Sequence, residues 1–247
     1  MQIEELNSKF KDAGAERILA YAADRFNEKV ALASSFGAED MVLIDMISTI
    51  SPLIKVFTLD TGRLPEETYE LIGQVQDRYK IEIEMLFPER VSVERMTNEF
   101  GPNLFYESIE NRKLCCKVRK LEPLTRKLKG LDAWICGLRR EQSITRAEIS
   151  SFEWDTVNGL IKINPLANWS TERLWQYIRQ NNVPYNKLHD RGYPSIGCAP
   201  CTRAINEGDD IRAGRWWWEN PEHKECGLHL GNTANKKNER TGTDGSA

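Results

Sequence analysis

The chain has 247 residues, and its 34 lysines and arginines against 37 aspartates and glutamates give a formal net charge of −3. This balance excludes a globally basic nucleic-acid-binding protein, and the 40% hydrophobic and 29% charged residues exclude a wholly disordered or collagen-like chain. The sequence has neither a signal-peptide pattern at its N-terminus nor an apolar run of the roughly 20 residues that a membrane helix needs. We therefore expect a cytoplasmic protein with no membrane and no nucleic acid among its partners.

Helices and strands alternate along most of the chain. Two amphipathic helices are predicted up to about Phe26, and β-rich runs at 29–36, 53–60, 81–87 and 132–138 then alternate with helical stretches near 39–50, 65–79 and 115–129. This order is typical of an α/β fold with a mainly parallel central sheet flanked by helices. Because ligands of such sheets bind beyond the carboxyl ends of the strands, we expect residues 34–40, 60–63 and 137–146 to surround one crevice.

The last third of the chain is predicted to be less regular. Residues 160–166 are predicted as an edge strand, and residues 171–181 as a helix whose N-cap is Ser170. Residues 232–247 are polar and lack an apolar anchor, so disorder is predicted there. We expect one domain over residues 1–231, followed by a disordered tail.

Positive charge is concentrated in residues 110–146, which hold eleven lysines and arginines against four acidic residues. An anionic ligand is the simplest explanation, and a solvated basic helix face is the alternative. We favour the ligand for Arg139 and Arg140, which follow a predicted strand, and the solvated face for Arg126, Lys127 and Lys129.

Four of the six cysteines form two close pairs, Cys115-Cys116 and Cys198-x-x-Cys201. Four thiolates suit either a tetrahedral zinc ion or a [4Fe–4S] cluster. Two consecutive side chains cannot easily reach one small ion, whereas the separate irons of a cluster accept them, so the spacing favours iron–sulfur. Reduced bystander thiols or a redox pair are the remaining alternative.

The other two cysteines differ from each other. Cys136 lies in an apolar run and is predicted to be a buried core residue. Cys226 lies between Lys224 and His229, which favour a thiolate, so a nucleophile and a stray surface thiol are both open.

Two turns and a tryptophan run complete the candidates. Ser34-Ser35-Phe36-Gly37 connects a predicted strand to a helix, where backbone N–H groups and serine hydroxyls offer a phosphate site. The turn around Asp60 and Gly62 is explained equally well by ligand binding and by a plain strand end. For residues 216–218, three consecutive tryptophans, packing is favoured over base stacking.

Seven motifs occur together, in the order SSFGAED, LDTGRLPEET, CCKVRKLEPL, GLRREQSITRA, YPSIGCAPCTRA, RAGRWWWE and KECGLH. In these the chain closely resembles the assimilatory adenylyl-sulfate reductases, the iron–sulfur branch of the sulfonucleotide reductase family. The resemblance covers roughly residues 29–229, and the joint presence of CC, CxxC and ECGLH is highly specific. It implies a PP-loop fold like that of the adenine nucleotide alpha hydrolases.

The resemblance also implies roles for individual residues. The [4Fe–4S] cluster would be held by Cys115, Cys116, Cys198 and Cys201, and the catalytic residues would be Cys226, Lys120 and His229, with Cys226 on a C-terminal segment at about 219–231. The substrate would be bound by Ser34, Ser35, Phe36, Gly37, Asp60, Gly62, Arg139, Arg140, Arg212 and Arg215.

The implied reaction is the reduction of adenylyl sulfate to sulfite and AMP through a cysteine S-sulfonate. The implied partners are these nucleotides, thioredoxin or a glutaredoxin-like dithiol donor, and further copies of the chain in a homo-oligomer. Three alternatives stay open: a reductase that uses or also accepts the 3′-phosphorylated nucleotide, an ATP pyrophosphatase of RNA thiolation, and a metalloprotein that binds nucleic acid through residues 110–146. The pyrophosphatases carry a glycine-richer SGGxDS loop, where this chain has Phe36 and Glu39.

Overall fold

A computed structural model describes residues 2–143 and 146–220, and a six-stranded sheet lies at its centre. The strands are β1 (Val30–Ala33), β2 (Lys55–Leu59), β3 (Ile83–Leu86), β4 (Ala133–Cys136), β5 (Phe152–Asp155) and β6 (Leu160–Ile163). Their order is β3-β2-β1-β4-β6-β5, and all pairs are parallel except β5 with β6. The predicted mainly parallel sheet is confirmed.

Helices cover both faces of the sheet. They are α1 (Ile3–Lys9), α2 (Ala15–Phe26), α3 (Ala38–Ile50), α4 (Glu66–Tyr79), α5 (Arg90–Phe100), α6 (Ile109–Cys116), α7 (Glu122–Leu128) and α8 (Thr171–Gln180). Helices α1 to α4 and α8 share one hydrophobic core with the sheet, and α7 packs on the opposite face. Side chains of β4 alternate between the two cores, with Ile135 in the first and Trp134 and Cys136 in the second.

The predicted start of α8 is confirmed in detail. The Ser170 hydroxyl accepts a hydrogen bond from the Arg173 N–H at 3.1 Å. A side-chain oxygen at the N-cap satisfies one of the backbone donors that a helix start leaves without a partner. Ser170 therefore fixes the residue at which α8 begins.

The edge-strand prediction is wrong in position. Strand β6 pairs with β4 on one side and with β5 on the other, so β5 is the edge. The two strands form a hairpin. In its turn, Asp155 Oδ1 accepts hydrogen bonds from the N–H groups of Val157 and Asn158, and the last residue, Gly159, has φ 72°. The Asn158-Gly159 pair is a hairpin signal that identifies this turn.

The predicted helix over residues 115–129 is not continuous. Helix α6 ends at Cys116, a π-helical turn spans Lys117–Leu121, and α7 follows it. Such turns widen the backbone locally and are frequent at functional sites. Lys120 is part of this turn.

Within residues 2–143 and 146–220, none of the helices combines the length and apolar character required to cross a bilayer. The predicted disordered tail, Cys226 and His229 lie outside the described residues.

Candidate active site

A cavity of about 230 Å³ lies at the carboxyl ends of β1, β2 and β4. Its wall contains residues from all three predicted loops, together with side chains from later in the chain. Its polar lining includes Ser34, Ser35, Asp40, Thr61, Gln142, Arg146, Lys120, His189, Ser195, Arg212 and Arg215. The expected convergence of the loops on one crevice is confirmed.

The loop between β1 and α3 is closed by its own side chains. Ser34 Oγ accepts the Phe36 N–H at 3.1 Å, and Ser35 donates from its N–H and hydroxyl to Asp40 Oδ2 at 2.6 and 2.9 Å. Phe36 has φ 59° and buries its ring in the core, so it does not line the cavity. Gly37 caps the 13-residue helix α3, whose first turn borders the cavity and offers N–H groups to an anion.

Asp40 supports this loop from within the protein. Burial raises the pKa of its carboxyl to about 6, although the hydrogen bonds from Ser35 act in the opposite direction. Gly137, at the end of β4, leaves the space that this carboxyl occupies, because a Cβ there would lie 2.3 Å from Asp40 Oδ1. The carboxyl group that closes the loop after β1 is therefore packed against the backbone at the end of β4.

Four cationic side chains line the same cavity: Lys120, Arg146, Arg212 and Arg215. The Arg215 guanidinium is buried and donates to the Ile196 carbonyl at 3.1 Å. It lies against Gly197, where a Cβ would approach Arg215 Nη2 to 2.3 Å. The cavity thus offers a helix N-terminus and four cations to an anionic ligand.

Arg139 and Arg140 do not line the cavity. Arg139 is 1% exposed, and its Nε and Nη2 donate to Glu39 Oε1 at 2.9 and 2.8 Å. Its Nη1 donates to the Trp169 carbonyl, and the exposed Arg140 donates to the Ile149 carbonyl. Their contact with a substrate stays a prediction, since the structure gives Arg139 a carboxylate partner.

Asp60 and Gly62 also lie outside the cavity lining and shape the turn after β2. Asp60 Oδ1 accepts the Gly62 N–H at 2.7 Å and the Tyr69 hydroxyl at 2.9 Å. Gly62 has φ 70°, which glycine adopts without strain. Burial, with the Asp60 contact, raises the pKa of Tyr69 to about 12. The turn places Thr61 in the cavity wall, with its Oγ1 3.2 Å from Cys198 Sγ.

A second, smaller cavity is lined by all four paired cysteines. Cys115 and Cys116 end α6, and Cys198 precedes a 3₁₀ turn that ends at Cys201, whose N–H donates to the Cys198 carbonyl at 2.9 Å. Lys120 and Arg215 line both cavities. The predicted grouping of the four thiols is therefore present in the fold.

The thiols influence one another electrostatically. Burial and the neighbouring Cys198 thiol together raise the pKa of Cys115 and raise that of Cys201 to about 12. Among the described residues, no three His, Cys, Asp or Glu side chains close on a single metal-ion position.

Cys136 and Trp216 are core residues, as predicted. Burial raises the pKa of Cys136 to about 12, which keeps its thiol protonated, although the side chain also borders the larger cavity. Trp216 is 1% exposed, with the guanidinium groups of Arg112 and Arg215 at 4.6 and 4.8 Å from its ring centre.

The sequence reasoning missed His189, which lines the larger cavity, and gave no role to Asp40. His189 lies in LHDRGYPSIGC, shortly before the CxxC pair. The sequence did contain a signal for His189, because it lies close to a Gly- and Pro-containing segment and to two candidate cluster ligands.

The model of the phosphoadenosine phosphosulfate reductase domain family matches residues 29–204 of the chain. The chain is 54% identical over 219 residues to adenosine 5′-phosphosulfate reductase of Allochromatium vinosum, covering 89% of the chain and 85% of that protein. It is 51% identical over 215 residues to the protein of the same name from Burkholderia cepacia, covering 87% of the chain and 86% of that protein.

Solved structures agree with these matches. Phosphoadenylyl-sulfate reductase from Candida auris, in a phosphate complex, superposes with a TM-score of 0.71 at 30% identity, covering 82% of this chain and 96% of that one. Candida glabrata FMN adenylyltransferase shares the fold, with a TM-score of 0.54 at 13% identity over 90% of this chain and 84% of that one.

Proposed function

The chain belongs to the phosphoadenosine phosphosulfate reductase domain family, and we propose that it is an enzyme that reduces adenosine 5′-phosphosulfate to sulfite and AMP. The observation that carries this proposal is the 54% identity to a protein of that name over 89% of the chain. The cavity is consistent with the substrate, because a helix N-terminus and four cations surround a space where a phosphosulfate would carry negative charge.

The smaller cavity fits a [4Fe–4S] cluster held by Cys115, Cys116, Cys198 and Cys201. Three buried N–H donors of its wall have no hydrogen-bond partner within the protein: Arg119 Nε, Arg215 Nε and Trp216 Nε1. Buried donors are rarely left unpaired, and the sulfurs of an anionic cluster accept such bonds. When bound, the cluster supplies an electrostatic and structural centre beside Lys120.

The first step of the proposed reaction takes place on Cys226. Its thiolate attacks the sulfur of the phosphosulfate, so that a sulfur–sulfur bond forms and the bond from sulfur to the AMP oxygen breaks. The electron pair of the broken bond stays on AMP. Lys120, Arg212 and Arg215 stabilise the negative charge that accumulates on the bridging oxygen and the sulfonate.

The second step regenerates the thiolate. A thiol of reduced thioredoxin, or of a glutaredoxin-like donor, attacks Cys226 Sγ and sulfite leaves with the electron pair. The donor's second thiol then resolves the mixed disulfide, so both electrons come from the donor.

The proposed chemistry is tested by incubating the protein with adenosine 5′-phosphosulfate without a dithiol donor and measuring the intact mass. We expect a sulfonate adduct together with release of AMP, and no adduct on the Cys226→Ser variant. Cys136→Ala is the matched control and should form the adduct as the unchanged protein does. An adduct on Cys226→Ser would place the nucleophile elsewhere, and a failure to release AMP would refute the reductase.

Substrate choice is a separate question, because the family model and the Candida auris relative carry the name of the 3′-phosphorylated nucleotide. We propose the unphosphorylated substrate, following the two bacterial relatives. The ratio of kcat/KM for the two nucleotides with reduced thioredoxin compares the transition states directly. Equal or greater efficiency with the 3′-phosphorylated form would overturn this choice and leave the Cys226 step intact.

A further inference from the structure

His189 lies in the wall of the larger cavity, although none of the motifs considered above includes it. It belongs to a 3₁₀ helix, Lys187–Arg191, which lies much later in the chain than the phosphate loop. Ser34, Glu39 and Arg212 line the same cavity, so the imidazole faces the space in which the nucleotide is proposed to bind.

Both ring nitrogens of His189 are buried and lack a hydrogen-bond partner within the protein. The Tyr193 backbone makes a hydrogen-bond-like contact that raises the pKa of the ring, but its geometry is too poor to satisfy either nitrogen. Leaving buried polar atoms unpaired destabilises a fold, so such a group in a cavity wall indicates a partner that arrives from outside.

The ring is held in place by its surroundings. It packs edge-on against Trp175, with ring centres 5.3 Å apart, and also contacts Tyr185. The helix that carries it is anchored by Asn186, which accepts the Leu188 N–H and donates to Thr68 Oγ1 of α4, both at 3.0 Å. An anchored ring is suited to binding a ligand without prior rearrangement.

The protonation state of His189 determines which part of the ligand the imidazole can hydrogen-bond. Burial lowers its pKa, and Glu39, the Tyr193 backbone and Asp190 oppose this effect without reversing it. A neutral imidazole offers one donor and one acceptor, which match a hydroxyl or a base edge better than a phosphosulfate.

We propose that His189 is a nucleotide-binding residue that hydrogen-bonds the uncharged nucleoside part of the substrate, while Lys120, Arg212 and Arg215 bind the phosphosulfate. The inference deepens the proposed function and rests on it. It divides the cavity into a neutral subsite at His189 and a cationic subsite near the four cysteines, both of which the same bound nucleotide would occupy.

The test compares AMP binding, measured by calorimetry, with thermal unfolding of the ligand-free protein. His189→Phe should weaken AMP binding about threefold to tenfold, the range of one neutral hydrogen bond. The same change should leave Tm unchanged or raise it, because it removes two buried unpaired nitrogens. His189→Gln, which restores a donor and an acceptor, should recover part of the affinity.

Tyr185→Phe is the matched control, because Tyr185 packs on the imidazole without lining the cavity. It should bind AMP as the unchanged protein does. A His189→Phe protein with a lowered Tm would show that the ring is structural and would overturn the inference, as would unchanged AMP affinity.

Nucleotide analogues identify the group that is bound. The unchanged protein should bind one of 2′-deoxy-AMP, 3′-deoxy-AMP and purine riboside monophosphate more weakly than AMP, and His189→Phe should no longer distinguish that analogue from AMP. Equal weakening of AMP and all three analogues by His189→Phe would overturn the inference. If the unchanged protein does not bind AMP, the proposed function fails as well, whereas binding that is independent of His189 refutes only the inference.

Discussion

Asp40 is a buried carboxyl group on which the phosphate loop depends. It accepts two hydrogen bonds from Ser35 and lies in the space left by Gly137. Removing a carboxyl from water disfavours its charged form, and the Ser35 donors compensate only in part, so its pKa is raised to about 6. The loop is thus built on a group that titrates close to neutral pH.

This shift predicts a pH dependence of stability. The folded protein binds the Asp40 proton more tightly than the unfolded chain, whose pKa is close to 3.8, so this group's contribution to the free energy of unfolding falls as the pH rises from 3.8 to about 6. Asp40→Asn should remove that fall, which urea denaturation across this pH range measures. Asp12→Asn, at an exposed carboxyl, should keep the original profile. An Asp40→Asn profile with the original slope would contradict the prediction.

The ion pair between Arg112 and Glu219 is buried on both sides, with side chains 1% and 3% exposed and 2.8 Å between Nη2 and Oε2. Glu219→Gln should lower the free energy of unfolding by about 3–5 kcal/mol, because it removes the buried carboxylate that faces the Arg112 guanidinium. Chemical denaturation measures this loss. Glu94→Gln, in the exposed pair with Arg90, should cost less than about 0.5 kcal/mol. A similar effect of both changes would show that burial is not decisive here.

Among the elements, α5 and β5 were not predicted, and each buries a single apolar side chain. Helix α3 buries Met41, Val42, Leu43 and others, whereas α5 buries only Met96 and was not predicted. Strand β5 was missed because Phe152 is its one buried apolar side chain, although its turn signal was present. The π-helical turn could not be predicted either, since side-chain periodicity does not reveal one extra residue in a turn.

The N-cap of α8 provides a test at the scale of one element. Ser170→Ala removes the acceptor of the Arg173 N–H and should lower the free energy of unfolding by about 1 kcal/mol. Ser48→Ala, near the exposed end of α3, is the matched control and should be neutral or slightly stabilising because alanine has the higher helix propensity. Both values come from denaturant titration, and equal values for the two variants would contradict the assigned cap.

Across the whole molecule, the position of the site was predictable and its internal pairing was not. Parallel strands bring their carboxyl ends to one edge, so the sequence alone predicted which loops meet. It could not predict that Arg139 would pair with Glu39, because the two are 100 positions apart and their contact depends on how β4 and α3 pack. The four paired cysteines line one small cavity, and their role as cluster ligands stays a prediction.

The proposed cluster predicts different results for different cysteines. Anaerobically purified protein should contain iron and acid-labile sulfide in equal amounts, as a [4Fe–4S] centre requires. Cys198→Ser should lose this content, and Cys136→Ala should keep it because Cys136 lies in a different core. Elemental and sulfide analysis of the three proteins measures this. Zinc without sulfide in the unchanged protein would overturn the cluster.

Gly197 has a consequence for how freely this sequence can vary. Any side chain at this position must displace the Arg215 guanidinium, and the obstacle is space rather than backbone conformation. In a library of all single substitutions screened for folded protein, replacements at position 197 should therefore be depleted, alanine included. Replacements at position 197 should be tolerated again in a variant in which Arg215 is replaced by a shorter residue, and that variant should bind anions more weakly. The order of changes is therefore fixed: a replacement at position 197 would be retained only after Arg215 has been shortened.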